Sequence, residues 1–192
     1  MNLPNQLTLA RFGLTLLFAV SLSSAWRFGA TAALLFFVLG GITDYLDGEI
    51  ARRQNLVSDF GKLMDPLADK VMMAAAFILL VPAGAFPAWV AVLIVSREFA
   101  ITGLRLLAAN KGVVLPSEKL GKHKMIWQIV VVIYFLLLLS IRELVATKWL
   151  AVDAWWTRAW NLGLILIAVA LGLTIYSGIG YLWRNRTLIA PA

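Results

Sequence analysis

Six long apolar runs, separated by short polar connections, organise this 192-residue chain. A membrane-crossing helix needs about 20 mostly apolar residues. The runs near 7–24, 29–47, 64–82, 86–108, 125–141 and 160–183 meet that length. Together they nearly exhaust the sequence, and no internal repeat or low-complexity segment interrupts them. The expectation is one all-α domain over residues 1–192, a polytopic membrane protein with six transmembrane helices and no separate soluble unit. The first run loosely resembles a cleaved signal peptide, but Arg11 sits where the apolar stretch should begin and the small-residue site after it is poor. Cleavage is therefore not expected.

Charge in the connections then orients the spans. Arg52, Arg53 and Lys62 lie in one connection, Lys111, Lys119, Lys122 and Lys124 in another, and Arg184 and Arg186 in the tail. The alternate connections are poorer in excess base: Arg27 stands alone, 83–87 carries no charge, and 142–159 mixes both signs. Both termini are thus expected on the cytoplasmic side. Trp26, Trp149, Trp155, Trp156 and Trp160 fall near the outer ends, and Trp183 near an inner end, as interfacial anchors would. Residues 143–157 read as a short helix along the outer surface. Gly172, Gly178 and Gly180 in the last span are expected to allow close helix packing.

Composition narrows the chemistry. The chain is 61% hydrophobic and 14% charged, against about 45–50% and about 25% in an ordinary soluble domain. Its net charge of +7 clusters at the ends of apolar runs, which points to topology and anionic lipid rather than nucleic acid. There is no cysteine and one histidine, His123, so thiolate chemistry and histidine-rich metal sites are excluded. Any metal must rest on carboxylates, which suits a hard ion such as Mg²⁺ or Mn²⁺.

Such carboxylates are concentrated between residues 44 and 69. Asp44 and Asp47 are three apart and share a helix face, which Gly48 and Ala51 continue with little bulk. Asp65 and Asp69 are four apart and share another, with Gly61 one turn before. Two helices joined by a loop over 52–60 can point these pairs at each other. Acids at membrane depth are costly and usually functional. Four clustered anions repel one another, whereas two divalent cations neutralise them and can support phosphoryl transfer. The competing reading is a set of solvated acids paired with Arg52, Arg53, Lys62 and Lys70.

Asp44, Asp47, Gly48, Ala51, Arg52, Gly61, Asp65 and Asp69 fit the pattern D-x2-D-G-x2-A-R-x8-G-x3-D-x3-D at every spacing. The chain thereby resembles the CDP-alcohol phosphatidyltransferases, whose six-span architecture also agrees. The resemblance implies transfer from a cytidine-diphosphate-activated lipid or alcohol to an acceptor hydroxyl, with release of CMP. It implies two divalent metal ions, Mg²⁺ or Mn²⁺, with Asp44, Asp47 and Asp65 as principal ligands. Asp69 would lie beside the metals and act as general base. Gly48 and Ala51 would admit the nucleotide, and Arg52 would pair with its diphosphate. Ser58 would add a hydrogen bond there or simply cap the third span. A homodimer in a bacterial-type cytoplasmic (inner) membrane, with the site facing the cytoplasm, is also implied.

Three further segments resemble the branch of that family whose acceptor is glycerol 3-phosphate. These are Asn2–Arg11, Ser96–Arg105, and Gly121–Lys124 followed by Gln128. Met125 departs from the threonine expected at its place. CDP-diacylglycerol and glycerol 3-phosphate are then the expected substrates and phosphatidylglycerophosphate the product. A phosphorylated acceptor needs cations of its own. Arg97 and Arg105, eight apart on one helix face, are the candidates, with Lys122 and Lys124 at the inner rim. Glu98 stands as support for that site or as the partner of Arg97 in a structural ion pair, and Lys122 and Lys124 read equally as topology signals. Asn5, Thr8 and Arg11 are candidates for the cytidine side, against helix capping for Asn5 and lipid-phosphate contact for Arg11. A sister enzyme using inositol phosphate, serine or phosphatidylglycerol is the nearest alternative. A divalent-ion or proton transporter is the alternative of another class, but residues 29–42 hold only Thr31 as a polar side chain and 71–82 carry no charge.

Overall fold

The computed structural model describes residues 3–54, 59–113, 115, 119–145 and 153–186. Within the helices, the side chains of 3–5, 47–54, 59–63, 65–66, 119–122 and 153–154 lie outside that description. The described residues form α1 (Leu3–Ser23), α2 (Gly29–Gln54), α3 (Asp59–Leu80), α4 (Ala88–Asn110), α5 (Lys119–Val145) and α6 (Asp153–Arg184), with no strand among them.

Among the described residues, four segments are long and apolar enough to cross a membrane: Gln6–Ser23, Gly29–Leu46, His123–Val145 and Trp155–Arg184. Helices α3 and α4 have the length but carry more charge. Asp65, Asp69 and Lys70 interrupt α3, and Arg97, Glu98 and Arg105 interrupt α4. Outward residues such as Leu16, Val20, Leu35, Ile165 and Ile179 are exposed, so the bundle presents an apolar exterior of the kind a bilayer covers.

Helix α1 packs on α2 and α3, α2 also meets α5, α5 pairs with α6, and α6 reaches α4. Side chains from most of these elements meet in one core, which includes Phe18, Phe37, Phe77, Phe86, Phe135 and Ile94. Ring contacts run from Phe77 to Phe86 at 5.8 Å, to Phe135 at 5.8 Å and to Trp160 at 5.3 Å. They tie α3 to α5 and α6. Trp160 thus packs against the core rather than serving as a simple interfacial anchor.

Tight turns make the reversals. Gly84 at φ 80° lets the Ala85 N–H return to the Leu80 carbonyl at 3.1 Å. Gly112 at φ 73° does the same for Val113 and Ala108 at 2.9 Å. Both are left-handed glycine stops that satisfy carbonyls at a helix end.

The opposite kind of end, the start of α2, is capped from a distance. Glu143 on α5 accepts hydrogen bonds from the Ala30 and Thr31 N–H groups at 2.6 and 2.9 Å, and from the Thr31 hydroxyl at 2.9 Å. The first N–H groups of a helix have no partner within it, and a carboxylate there also faces the positive end of the helix dipole.

Two expectations need correction. Gly172 and Gly180 meet nothing where a side chain would stand, because they face away from neighbouring helices. Gly178 does make the close approach expected of it, against Arg97, and Gly163 makes another, where an added Cβ would lie 2.7 Å from the Phe135 ring. Residues 143–145 belong to α5 and 153–157 to α6, so the apolar registers of those helices claim both ends of the expected surface helix. Residues 146–152, including Trp149, lie outside the described residues.

Candidate functional site

The two ends of the bundle hold different residues. Leu22, Arg27, Ala83, Arg142 and Glu143 gather around a hollow at one end. Asp69, Lys70, Arg97, Arg105, Lys124 and Tyr181 line a cavity of about 230 Å³ toward the other.

Four elements build that cavity. Asp69 and Lys70 come from α3, where Ala68 is buried beside them. Arg97, Glu98, Thr102 and Arg105 come from α4, Lys124 and Gln128 from α5, and Tyr181 from α6. Ile94 and Phe77 close its apolar side. Four bases stand against two acids in this lining. An excess of positive charge in a partly desolvated hollow is satisfied by an anion.

The polar side chains are held rather than loose. Glu98 sits between Lys124 and Arg97, making an ion pair with the Lys124 ammonium and accepting from Arg97 Nη1 at 3.3 Å. Lys124 is 5% exposed, so it belongs to the cavity wall and is not a surface topology charge. Gln128 donates to the Thr174 hydroxyl at 3.0 Å, whose own proton goes to the Ala170 carbonyl at 2.7 Å. That commitment fixes which face of the amide meets Thr174.

Arg11 links this region to the aspartate motif. It is 1% exposed and contacts Asp44 at 2.9 Å. Arg11 is thus turned toward the aspartate motif rather than toward an open surface. Thr15 donates to the Arg11 carbonyl at 2.8 Å, and Thr8, one turn earlier, is fully buried. Helices α1 and α2 therefore bring Arg11 and Asp44 together, and α3, which carries Asp69, packs on α1.

The remaining candidates lie outside the described residues. Ser58 falls in an undescribed segment, and the side chains of Asn5, Asp47, Gly48, Ala51, Arg52, Gly61, Asp65 and Lys122 are likewise not described. Among the described residues, no three acids or histidines converge on one point. Of the four aspartates, Asp44 and Asp69 have described side chains, and their carboxylate oxygens are the donor type that Mg²⁺ or Mn²⁺ prefers.

Sequence reasoning missed Glu143, Ser177 and Tyr181. A signal for the last two was present. Thr174, Ser177 and Tyr181 interrupt an apolar run at spacings of three and four, a single polar stripe on α6.

Comparison with known proteins accords with this arrangement. Residues 1–176 match the family model for CDP-alcohol phosphatidyltransferase. The chain is 37% identical to the CDP-diacylglycerol–glycerol-3-phosphate 3-phosphatidyltransferase of Bacillus subtilis, over 96% of this chain and 95% of that protein. It is 36% identical to the protein of the same name from Rickettsia typhi, over 97% and 98%. A probable phosphatidylglycerophosphate synthase of Mycobacterium tuberculosis is 33% identical, over 95% and 81%. With a family model spanning most of its length and relatives matched nearly end to end, this chain belongs to the CDP-alcohol phosphatidyltransferase family.

Proposed function

We propose that this protein transfers the phosphatidyl group of CDP-diacylglycerol to glycerol 3-phosphate, giving phosphatidylglycerophosphate and CMP. The observation that carries the reading is one cavity with a carboxylate, Asp69, in the same wall system as Arg97, Arg105 and Lys124. A small phosphorylated alcohol needs both: cations for its phosphate and a base for its hydroxyl. The names and nearly full-length coverage of the relatives support the same substrates.

Arg97 and Arg105 hold the acceptor phosphate through their forked donors, and Lys124 adds a third cation, with Lys122 at the rim. Glu98 keeps Arg97 and Lys124 in place. The acceptor hydroxyl is thereby set toward Asp69, which takes its proton as the new P–O bond forms. Arg52 pairs with the diphosphate of the CDP-lipid, Gly48 and Ala51 give the nucleotide room, and Gly61 and Ser58 complete that side. Asn5 and Thr8 line the cytidine end, and Arg11 holds Asp44 there. Asp44, Asp47, Asp65 and Asp69 are the residues to hold two divalent cations. Bound there, the cations would offset charge on the diphosphate and on the departing CMP.

All six helices cross the membrane in this reading, α3 and α4 with their charges turned to the cavity. Both termini, and the opening of the site, face the cytoplasm. The test is CMP release by purified protein supplied with CDP-diacylglycerol and Mg²⁺. Release should begin only when glycerol 3-phosphate is added. Release driven instead by serine or inositol phosphate would overturn the acceptor.

A further inference from the structure

The two arginines of the cavity are long, flexible side chains, and something must hold them before a ligand arrives. An unrestrained arginine samples many rotamers, and ordering it on binding weakens affinity. Besides Glu98, which holds Arg97 from α4 itself, partners that restrain them come from a single face of α6.

Arg97 Nη2 donates to the Ser177 hydroxyl at 3.1 Å. That hydroxyl directs its own proton to the Thr174 carbonyl at 3.2 Å, which leaves its lone pairs for the guanidinium. Gly178 lies under the stem of the same arginine: an added Cβ would stand 2.9 Å from Arg97 Cγ and 3.2 Å from Nε. Four residues after Ser177, Tyr181 accepts from Arg105 Nε at 3.1 Å and places its ring beneath the guanidinium, 5.5 Å from the ring centre. With Nε occupied, the Nη groups are the donors of Arg105 left for a phosphate. Ser177 and Tyr181 are both buried. Of these three α6 residues, only Tyr181 lines the cavity.

We propose that Ser177, Gly178 and Tyr181 form a positioning cradle on α6 that presets Arg97 and Arg105 for the acceptor phosphate. The spacing suits the task. Residues 177, 178 and 181 share one helix face, as do 97 and 105 on the packed neighbour α4. The proposal rests on the reading of the cavity as an acceptor-phosphate site. It goes beyond that reading by giving α6, which carries neither the aspartates nor the arginines, control over acceptor affinity.

Steady-state kinetics of the full chain, varying glycerol 3-phosphate and CDP-diacylglycerol separately, test it. Ser177→Ala and Tyr181→Phe should each raise the KM for glycerol 3-phosphate about three- to tenfold, the scale of one lost hydrogen bond. Gly178→Ala should do at least as much by displacing the Arg97 stem. The KM for CDP-diacylglycerol should stay at its wild-type value, Ser177→Ala and Tyr181→Phe should lower the melting temperature by no more than one lost hydrogen bond allows, and Ser177→Thr, which keeps the hydroxyl, should restore the KM for glycerol 3-phosphate. Unchanged KM for glycerol 3-phosphate in all three variants overturns the cradle. A parallel rise of both KM values with a lower melting temperature also overturns it, since a merely structural role gives that result. If Gly178→Ala yields no folded protein, Ser177→Ala and its threonine rescue decide. Wild-type protein separates the two levels of inference. CMP release that ignores glycerol 3-phosphate defeats the proposed reaction itself, whereas dependence on it with unmoved KM values defeats only the cradle.

Discussion

The two ends of this bundle use charge differently. At the end where α2 begins, Glu143 is fully engaged by the backbone and hydroxyl donors of another helix. Arg142 lies over the Trp156 ring and Arg27 over the Phe28 ring. These charges close the fold on itself. At the other end, among the described residues, two acids and four bases face one shared cavity. The first set is engaged by the fold's own backbone and rings, whereas the second converges on a space large enough for a small ligand. A buried charge is informative only after its partners have been counted.

The largest effect that would sharpen this contrast is at Asp69. Asp69→Asn keeps the shape and removes the base, so turnover should fall by about 10²–10⁴-fold, the usual contribution of a positioned acid or base. Wild-type turnover in that variant would remove Asp69 from the role. Next comes Arg97→Gln, which should raise the KM for glycerol 3-phosphate about 10- to 100-fold, since hydrogen bonds to charged groups contribute about 1.5–3 kcal/mol. A rise confined to the KM for CDP-diacylglycerol would reassign that cation to the donor lipid.

At the opposite end the readout should change from kinetics to stability. Glu143→Ala should destabilise the folded protein by about 1–2 kcal/mol, as loss of a helix cap does, with the KM for glycerol 3-phosphate unmoved. A kinetic defect without a lower melting temperature would break the comparison. The smallest pair is among the glycines. Gly163→Ala crowds the Phe135 ring and should cost about 1–3 kcal/mol. Gly172→Ala meets nothing and should leave the melting temperature at or slightly above its wild-type value.

Much of this was readable before any coordinates, and the reason is locality. Helix number follows from apolar run length, and spacings of three and four are what place the aspartates in pairs along the expected helix faces. Arg97 and Arg105 were legible as charges in a span that ought to be apolar. Other roles depend on partners remote in sequence. Glu143 looked like one charge in a mixed connection, because the α2 backbone it caps lies more than a hundred residues away. Lys124 carried the same signal as a topology lysine until Glu98 was found beside it. Gly178 was read as a helix-packing residue, and only the position of Arg97 shows what its missing side chain makes room for. Arg11 is a candidate for the cytidine side by its place in the opening segment, and its contact with Asp44 depends on the packing of α2.

The central claim is that the cations gathered in the cavity bind the phosphate of the acceptor. Calorimetric binding of glycerol 3-phosphate, compared with glycerol, to wild-type protein and to the Arg97→Gln/Arg105→Gln double variant tests it most directly. Wild-type protein should bind glycerol 3-phosphate but not glycerol, and the double variant should lose that binding while keeping its melting temperature. Equal binding of glycerol 3-phosphate by the double variant and the wild type would contradict the claim.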